Sequence, residues 1–164
     1  MIRPYQSADK KQVEEIFWET SARSEFATPE ERQQFQQQYL DSYLSHVAFV
    51  AIDGDQVMGY VIAHRNTLES EATWAAHLGL FKDCYQQYPA HLHINCRAAA
   101  QGQGWGGKLL AALEHELAKL TVCGVHLITA ASARNVNFYK KYGYLEVARR
   151  PWKQAELLLL GKNL

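Results

Sequence analysis

One α/β domain spanning residues 1–164 is the fold class this sequence predicts, on three observations. β-rich and helical stretches alternate along the chain with no linker between them. The length suits one hydrophobic core. A glycine-rich turn at 101–107 follows a β-rich run and opens directly into a helix. Composition agrees, because 48% apolar and 21% charged residues rule out a disordered or disulfide-dense chain.

The elements follow in order. Met1 to Tyr5 reads as a short strand, and from about Ser7 a helix sets Val13, Ile16 and Phe17 on one face. Thr28-Pro29-Glu30-Glu31 starts a second helix: Thr28 caps, Pro29 suits the first turn and Glu31 completes a capping box. Phe35, Tyr39 and Tyr43 repeat at a spacing of four along it, and its glutamine-rich faces read as solvated. Val47 to Ile52 and Val57 to Ala63 flank Asp53-Gly54-Asp55, which predicts a hairpin. The stretch from Arg65 to Tyr88 is the least patterned, with a short helix expected around Trp74 to Leu80. His91 to Cys96 reads as a strand. The helix after the glycine turn carries Leu109, Leu110, Leu113, Leu117 and Leu120 as its apolar stripe. Val125 to Ala130 is another strand, and Asn135 to Tyr142 a short helix closed by Gly143. Tyr144 to Ala148 and Glu156 to Leu160 end the chain as strands, with Pro151 between them.

Charge and cysteine usage exclude several function classes. Lys+Arg and Asp+Glu are both 17, so the chain lacks the excess of positive charge that nucleic-acid binding calls for. No apolar run approaches the roughly 20 residues that cross a bilayer. The start, Met1-Ile2-Arg3-Pro4, has no signal core, which predicts a protein that is not exported. Cys84, Cys96 and Cys123 show no CxxC spacing. A cytoplasmic protein with reduced thiols, no disulfide framework and no metal is therefore expected.

The glycine turn is the main functional signal. N–H groups at a helix start, together with the helix dipole, favour an anion, and glycine lets a phosphate come close to the backbone. A tight loop with no ligand is the alternative. The P-loop pattern fails, because Leu109 follows Lys108 where Ser or Thr is required. The dinucleotide pattern fits only in part, with Gly107 serving as third glycine and no acidic residue at the expected distance. The pattern Gln/Arg-x-x-Gly-x-Gly is met at every required position by Gln101 to Gly106.

Here the chain resembles the GCN5-related N-acetyltransferase (GNAT) superfamily, from about Val47 onward. The resemblance rests on Gln101 to Gly106 between a strand and a long helix, and on Asn135-Val136-Asn137-Phe138-Tyr139-Lys140-Lys141-Tyr142-Gly143-Tyr144, one strand later. Tyr88-Pro89-Ala90-His91-Leu92-His93-Ile94 is further similar to bacterial relatives of the acetyltransferase-like domain of O-GlcNAc hydrolases. The resemblance implies a central, twisted, mixed but mostly antiparallel sheet of six to seven strands, flanked by about four helices. It implies direct transfer of an acetyl group from acetyl-CoA, the cosubstrate, to an amine of a small molecule or peptide. A catalytically silent CoA-binding or interaction domain is the alternative, and an NAD-binding module a third.

The family's site residues map onto this chain as follows. Gln101, Gly102, Gln103, Gly104, Trp105, Gly106, Gly107 and Lys108 would cradle the pyrophosphate with backbone N–H groups from Gln103 to Lys108. Lys108, Arg134 and Lys140 are candidates for the outer phosphates, with ordinary surface charge the alternative. Ile94, Asn95 and Cys96 would pair with the pantetheine amides. Asn135 would bond the pantetheine arm or cap its helix, and Phe138 belongs to the same cofactor-binding segment. Tyr139 would give a proton to the departing thiolate: a free thiol titrates near 8.5 and a phenol near 10, so such a transfer is within reach.

The base is less determined. His93 is the candidate, because imidazole titrates in the right range, and a water chain to a backbone carbonyl is the alternative. Strand alternation puts His91 and His93 on one face, and alignment to Gly104 puts Ala90, Leu92 and Ile94 on the family's substrate side. A His91/His93 metal pair has no third ligand at a telling spacing. The acceptor would be shaped by about 21–35 and 65–88, through Trp18, Phe26, Trp74, His77, Phe81 and Tyr85. These are more aromatic than acidic, which favours a partly apolar acceptor. Core packing or a homodimer contact is the alternative for them.

Overall fold

The computed structural model describes residues 1–21, 25–73 and 75–164. Seven strands form one mixed sheet in the order β1-β2-β3-β4-β5-β7-β6. They are β1 (Ile2–Pro4), β2 (Val47–Asp53), β3 (Gln56–His64), β4 (Ala90–Cys96), β5 (Gly124–Ala130), β6 (Leu145–Trp152) and β7 (Ala155–Asn163). The pairs β1–β2, β2–β3, β5–β7 and β6–β7 are antiparallel, and β4 and β5 run parallel through Ala90↔Val125 and His91↔His126. The helices are α1 (Lys10–Thr20), α2 (Pro29–Gln36), α3 (Ser42–Leu44), α4 (Trp105–Lys119) and α5 (Asn135–Lys141). The expected fold class holds, with five helices among the described residues rather than four. No described helix is long and apolar enough to cross a membrane.

Backbone contacts group the chain into two compact units, Met1–Ala63 with His93–Glu116, and His64–Leu92 with Leu117–Leu164. In the first, the predicted hairpin forms: β2 pairs β3 from Val47↔Ala63 to Asp53↔Gln56. Val13, Ile16 and Phe17 of α1 pack with Leu40, Tyr43, Val50, Val57, Tyr60 and Ile62. Each fully buried side chain of this kind contributes roughly 1.5–3 kcal/mol of transfer free energy. The start of α1 is fixed by Arg3, which donates to both oxygens of Asp9 at 2.7 Å. That bond holds the Asp9 carboxyl below its usual range.

The helix predicted from Thr28 begins as expected. The Thr28 hydroxyl accepts from Glu31 N at 3.2 Å, and Glu31 Oε2 accepts from Ala27 N at 3.0 Å. It does not continue as one α-helix. A π-helical turn occupies Gln37–Asp41, after which α3 takes over. The Gln36 amide sits at the joint, accepting from Trp18 Nε1 at 3.1 Å and donating to Glu14 at 3.0 Å and Asp41 at 3.3 Å. Side-chain demands on that turn reset the spacing, which local propensity does not foresee.

In the second unit, β5 pairs β7 from Gly124↔Asn163 to Ala130↔Leu157, and Phe81, Cys84, Tyr85 and Leu159 form a core cluster. The helix expected around Trp74 to Leu80 is replaced by 3₁₀ segments at Thr67–Thr73 and Ala76–Cys84, while Trp74 lies outside the described residues. Pro151 does not separate two strands. It lies within β6, paired with Glu156 at the sheet edge, where a missing N–H is tolerated. Leu109, Leu110, Leu113 and Leu117 are buried as predicted, but Leu120 lies past the end of α4 and is 39% exposed.

Candidate functional site

The glycine turn folds as an open helix entrance. Gly102 and Gly104 hold φ of 77° and 83°, the left-handed region that costs other residues about 1–2 kcal/mol. A Cβ built on either meets nothing within 4 Å, so the space beside the turn is clear. Lys108 N–H donates to Gly104 O at 3.3 Å, the first helical bond of α4. The N–H groups of Trp105, Gly106 and Gly107 precede it and point out of the helix end. The expected cradle from Gln103 to Lys108 therefore narrows, because the Lys108 N–H is spent inside the helix. The Lys108 ammonium lies 5.1 Å from the Trp105 ring centroid.

Side chains brace this turn from behind. Gln103 Nε2 donates to Ala99 O at 2.7 Å and Gln101 Nε2 to Cys96 O at 3.5 Å. Upstream, Ala98 N donates to Glu19 at 2.9 Å, and Arg97 reaches Val57 O, Glu15 and Glu19. The end of β4 and the entry to the turn are thereby tied to α1 and β3. Burial pushes the Cys96 thiol up to about 11, which keeps it an inert thiol beside this segment.

β4 also contributes to a pocket. Phe17, Thr20 and Ser21 of α1 and its end, Phe35 of α2, Tyr39 of the π turn, and His93 and Asn95 of β4 line a cavity of 140 Å³. On β4, His93 and Asn95 line this cavity, and Leu92 and Ile94 do not. The His93 ring meets Tyr43 edge-on at 4.8 Å and Tyr39 at 6.1 Å. Asn95 Nδ2 donates to the Tyr60 phenol at 2.8 Å. Burial raises the Tyr60 pKa, so its phenol stays protonated.

In the second unit, α5 presents the Asn135–Gly143 segment. Asn135 is not the cap of its helix. It is the first helical residue, and its Oδ1 accepts from the Thr129 hydroxyl at 3.1 Å. Tyr139 is 5% exposed and packs edge-on against Phe138 at 5.1 Å and Tyr144 at 5.7 Å. Arg134 and Lys140 are exposed. Gly143 closes the helix at φ 86°.

The acetyltransferase (GNAT) family model matches residues 10–144. The chain belongs to the GNAT acetyltransferase family. Among solved structures it is similar to SsHAT, with TM-score 0.78 and 25% identity over 99% of this chain and 97% of that one. It is similar in fold to ribosomal-protein-alanine N-acetyltransferase from Brucella melitensis, with TM-score 0.67 and 19% identity over 100% and 99%. It is similar in fold also to yncA from Salmonella typhimurium, solved with its cofactor acetyl-CoA, with TM-score 0.67 and 18% identity over 99% and 92%.

Within this GNAT chain the aromatic residues expected near an acceptor divide. Trp18 and Phe26 join the cluster around Phe35, with the Arg32 guanidinium 3.8 Å over the Trp18 ring. Phe81 and Tyr85 are fully buried core residues of the second unit. His77 meets Trp152 edge-on, and burial lowers its pKa. Sequence reasoning missed Phe17, Thr20 and Tyr39 as lining residues. The signal for Tyr39 was present in its repeat with Phe35 and Tyr43, which read there only as a helix face.

Proposed function

We propose that this GNAT chain is an acetyl-CoA-dependent N-acetyltransferase that passes an acetyl group directly to an amine of a small molecule or peptide. The observation that carries the reading is the cleared entrance of α4: two left-handed glycines with open space beside them, ahead of three outward N–H groups. A pyrophosphate suits that entrance, being an anion that several N–H donors and a helix dipole favour together. The span 1–164 is taken as the functional domain, supported by the near-complete two-way coverage of the similar chains. A cytoplasmic setting is supported by three cysteines that form no disulfide.

On this reading the segment Gln101–Gly107, Lys108, Ile94–Cys96, Asn135, Phe138 and Lys140 hold acetyl-CoA. Bound there, acetyl-CoA supplies an acyl thioester. The amine nitrogen forms the new N–C bond and the C–S bond breaks. His93 takes the amine proton, since imidazole titrates far closer to neutrality than the roughly 10.4 of an alkylammonium. Tyr139 supplies a proton to the thiolate.

Calorimetry with acetyl-CoA tests the reading, with NAD as control. The wild-type chain is expected to bind acetyl-CoA and not NAD. Gly104→Val is expected to fold, shown by an unchanged far-UV circular dichroism spectrum, and to lose binding at least 100-fold. The branched side chain would both resist positive φ and fill the cleared space. Undiminished affinity in the folded variant overturns the assignment of the turn.

A further inference from the structure

The 140 Å³ cavity between α1, α2, the π turn and β4 has a chemistry that specifies its ligand. Resting on the proposed acetyl transfer, we propose that it is the acceptor site and takes a primary amine joined by a short chain to one aromatic ring.

Size sets the first limit. Apolar cavities of about 150 Å³ take up benzene, so this half-open pocket of 140 Å³ has room for one aromatic ring. Shape and polarisability set the second. Phe17, Phe35 and Tyr39 supply aromatic rings to the lining, and Phe35 lies 4.6 Å from Tyr39 and 5.7 Å from Phe17. Such a wall stacks an arene and also attracts a cation by its quadrupoles.

Polar chemistry sets the third limit. Two polar groups of the lining, Thr20 and Asn95, already donate within the protein. Thr20 Oγ1 donates to Ile16 O at 2.8 Å, and Asn95 Nδ2 donates to Tyr60 Oη at 2.8 Å. Towards a ligand, Thr20 Oγ1 offers an accepting oxygen, and Asn95 offers its Oδ1 with one remaining N–H. A ligand that brings N–H donors satisfies both oxygens. No carboxylate, lysine or arginine lines the cavity among the described residues, so a polyamine would have no counter-charge for its second ammonium. The π turn adds a separate sign. It places Tyr39 at the cavity by spending an extra residue in one turn, a distortion that concentrates at functional sites.

The test pairs binding with turnover, using 2-phenylethylamine, n-butylamine, spermidine and lysine amide. Saturation-transfer NMR is expected to show the phenyl protons of 2-phenylethylamine in contact with the protein, and Phe35→Ala to abolish the signal. CoA release is expected to favour 2-phenylethylamine over the other three by at least about tenfold in kcat/KM. Phe35→Leu, which keeps apolar bulk and guards against a misfolded alanine variant, is expected to raise KM roughly tenfold with kcat within twofold. Acetyl-CoA bound by calorimetry but passed to spermidine or lysine amide in preference overturns the acceptor class and leaves acetyl transfer standing. Failure to bind acetyl-CoA overturns acetyl transfer and the acceptor role with it, so the two failures are told apart. Absence of phenyl saturation in a chain that binds acetyl-CoA overturns the inference alone.

Discussion

His91 and His93 stand two residues apart on one face of β4, yet their surroundings have opposite characters. His91 is 2% exposed and stacks on His126 with ring centroids 4.8 Å apart and planes 3° from parallel. His126 in turn stacks on Tyr85 at 4.7 Å, and its Nδ1 lies 2.7 Å from Tyr88 O, which makes Nδ1 the protonated nitrogen. Burial lowers the His126 pKa to about 4, so the His126 ring is a neutral piece of core. His93 instead sits in the wall of a cavity, edge-on to tyrosines. A histidine becomes structural or chemical according to what covers it, and the covering elements come from remote parts of the chain.

The largest expected effect sharpens that contrast directly. His93→Gln is expected to lower kcat by roughly 10²–10⁴, as loss of a general base does, with little change in melting temperature. His91→Ala is expected to do the reverse, costing about 2 kcal/mol or more of stability while the folded fraction keeps kcat within twofold. Steady-state kinetics and urea melts on both variants decide it. If His93→Gln turns over normally, the cavity histidine is as structural as its neighbour and a water chain is the base.

Tyr139→Phe comes next. The ring still packs against Phe138 and Tyr144, so acetyl-CoA affinity should stay within a few-fold. kcat should fall roughly 10- to 1000-fold, more than KM rises, because the phenol acts only as thiolate charge develops. An unchanged kcat, with chemistry shown to limit the rate, leaves Tyr139 a packing residue.

The stack predicts a pH effect on stability. Unfolded His126 titrates near 6.5 and folded His126 near 4, so the unfolded chain binds the extra proton first. Stability is therefore full above about pH 6.5 and falls as pH drops towards 4, by about 3 kcal/mol in all. His126→Phe keeps a ring in the stack and cannot titrate there. Urea midpoints measured from pH 7 to 4.5 should fall more steeply in the wild-type chain than in the variant. Parallel curves would show that His126 is not what acid attacks.

The smallest effect concerns the helix that carries Phe35. Thr28→Ala removes the oxygen that accepts from Glu31 N and should cost about 1 kcal/mol, read as a lower urea midpoint. Binding of an arene to the cavity should weaken only slightly, since the cap holds the helix start and not the lining ring itself.

Much of the fold was legible because its signals are local. Two β-rich runs around Asp53-Gly54-Asp55 marked β2 and β3, Thr28 and Pro29 marked a helix start, and the leucine stripe marked α4. The α4 entrance was legible for the same reason, since left-handed turns select glycine at the very positions that need it. The π turn, the 3₁₀ segments before Pro89 and the course of β6 through Pro151 were not. The first two depend on remote partners, Trp18 and Glu14 for Gln36 and Leu159 for Phe81, and Pro151 stays in β6 because it sits on the edge strand opposite Glu156.

By itself, the sequence determined the family, the order of elements, the glycine entrance to α4 and the segment that carries Tyr139. All of these are set by residues close together in the chain, where backbone dihedrals and hydrogen-bond spacing are local constraints. Only the tertiary structure decided that Leu92 and Ile94 do not line the cavity, that His91 is stacked core and His93 is not, and that Thr20 and Asn95 offer acceptors to a ligand. Alternation along a strand tells which residues share a face. It cannot tell which elements pack on that face, because they are set by burial summed over the whole chain.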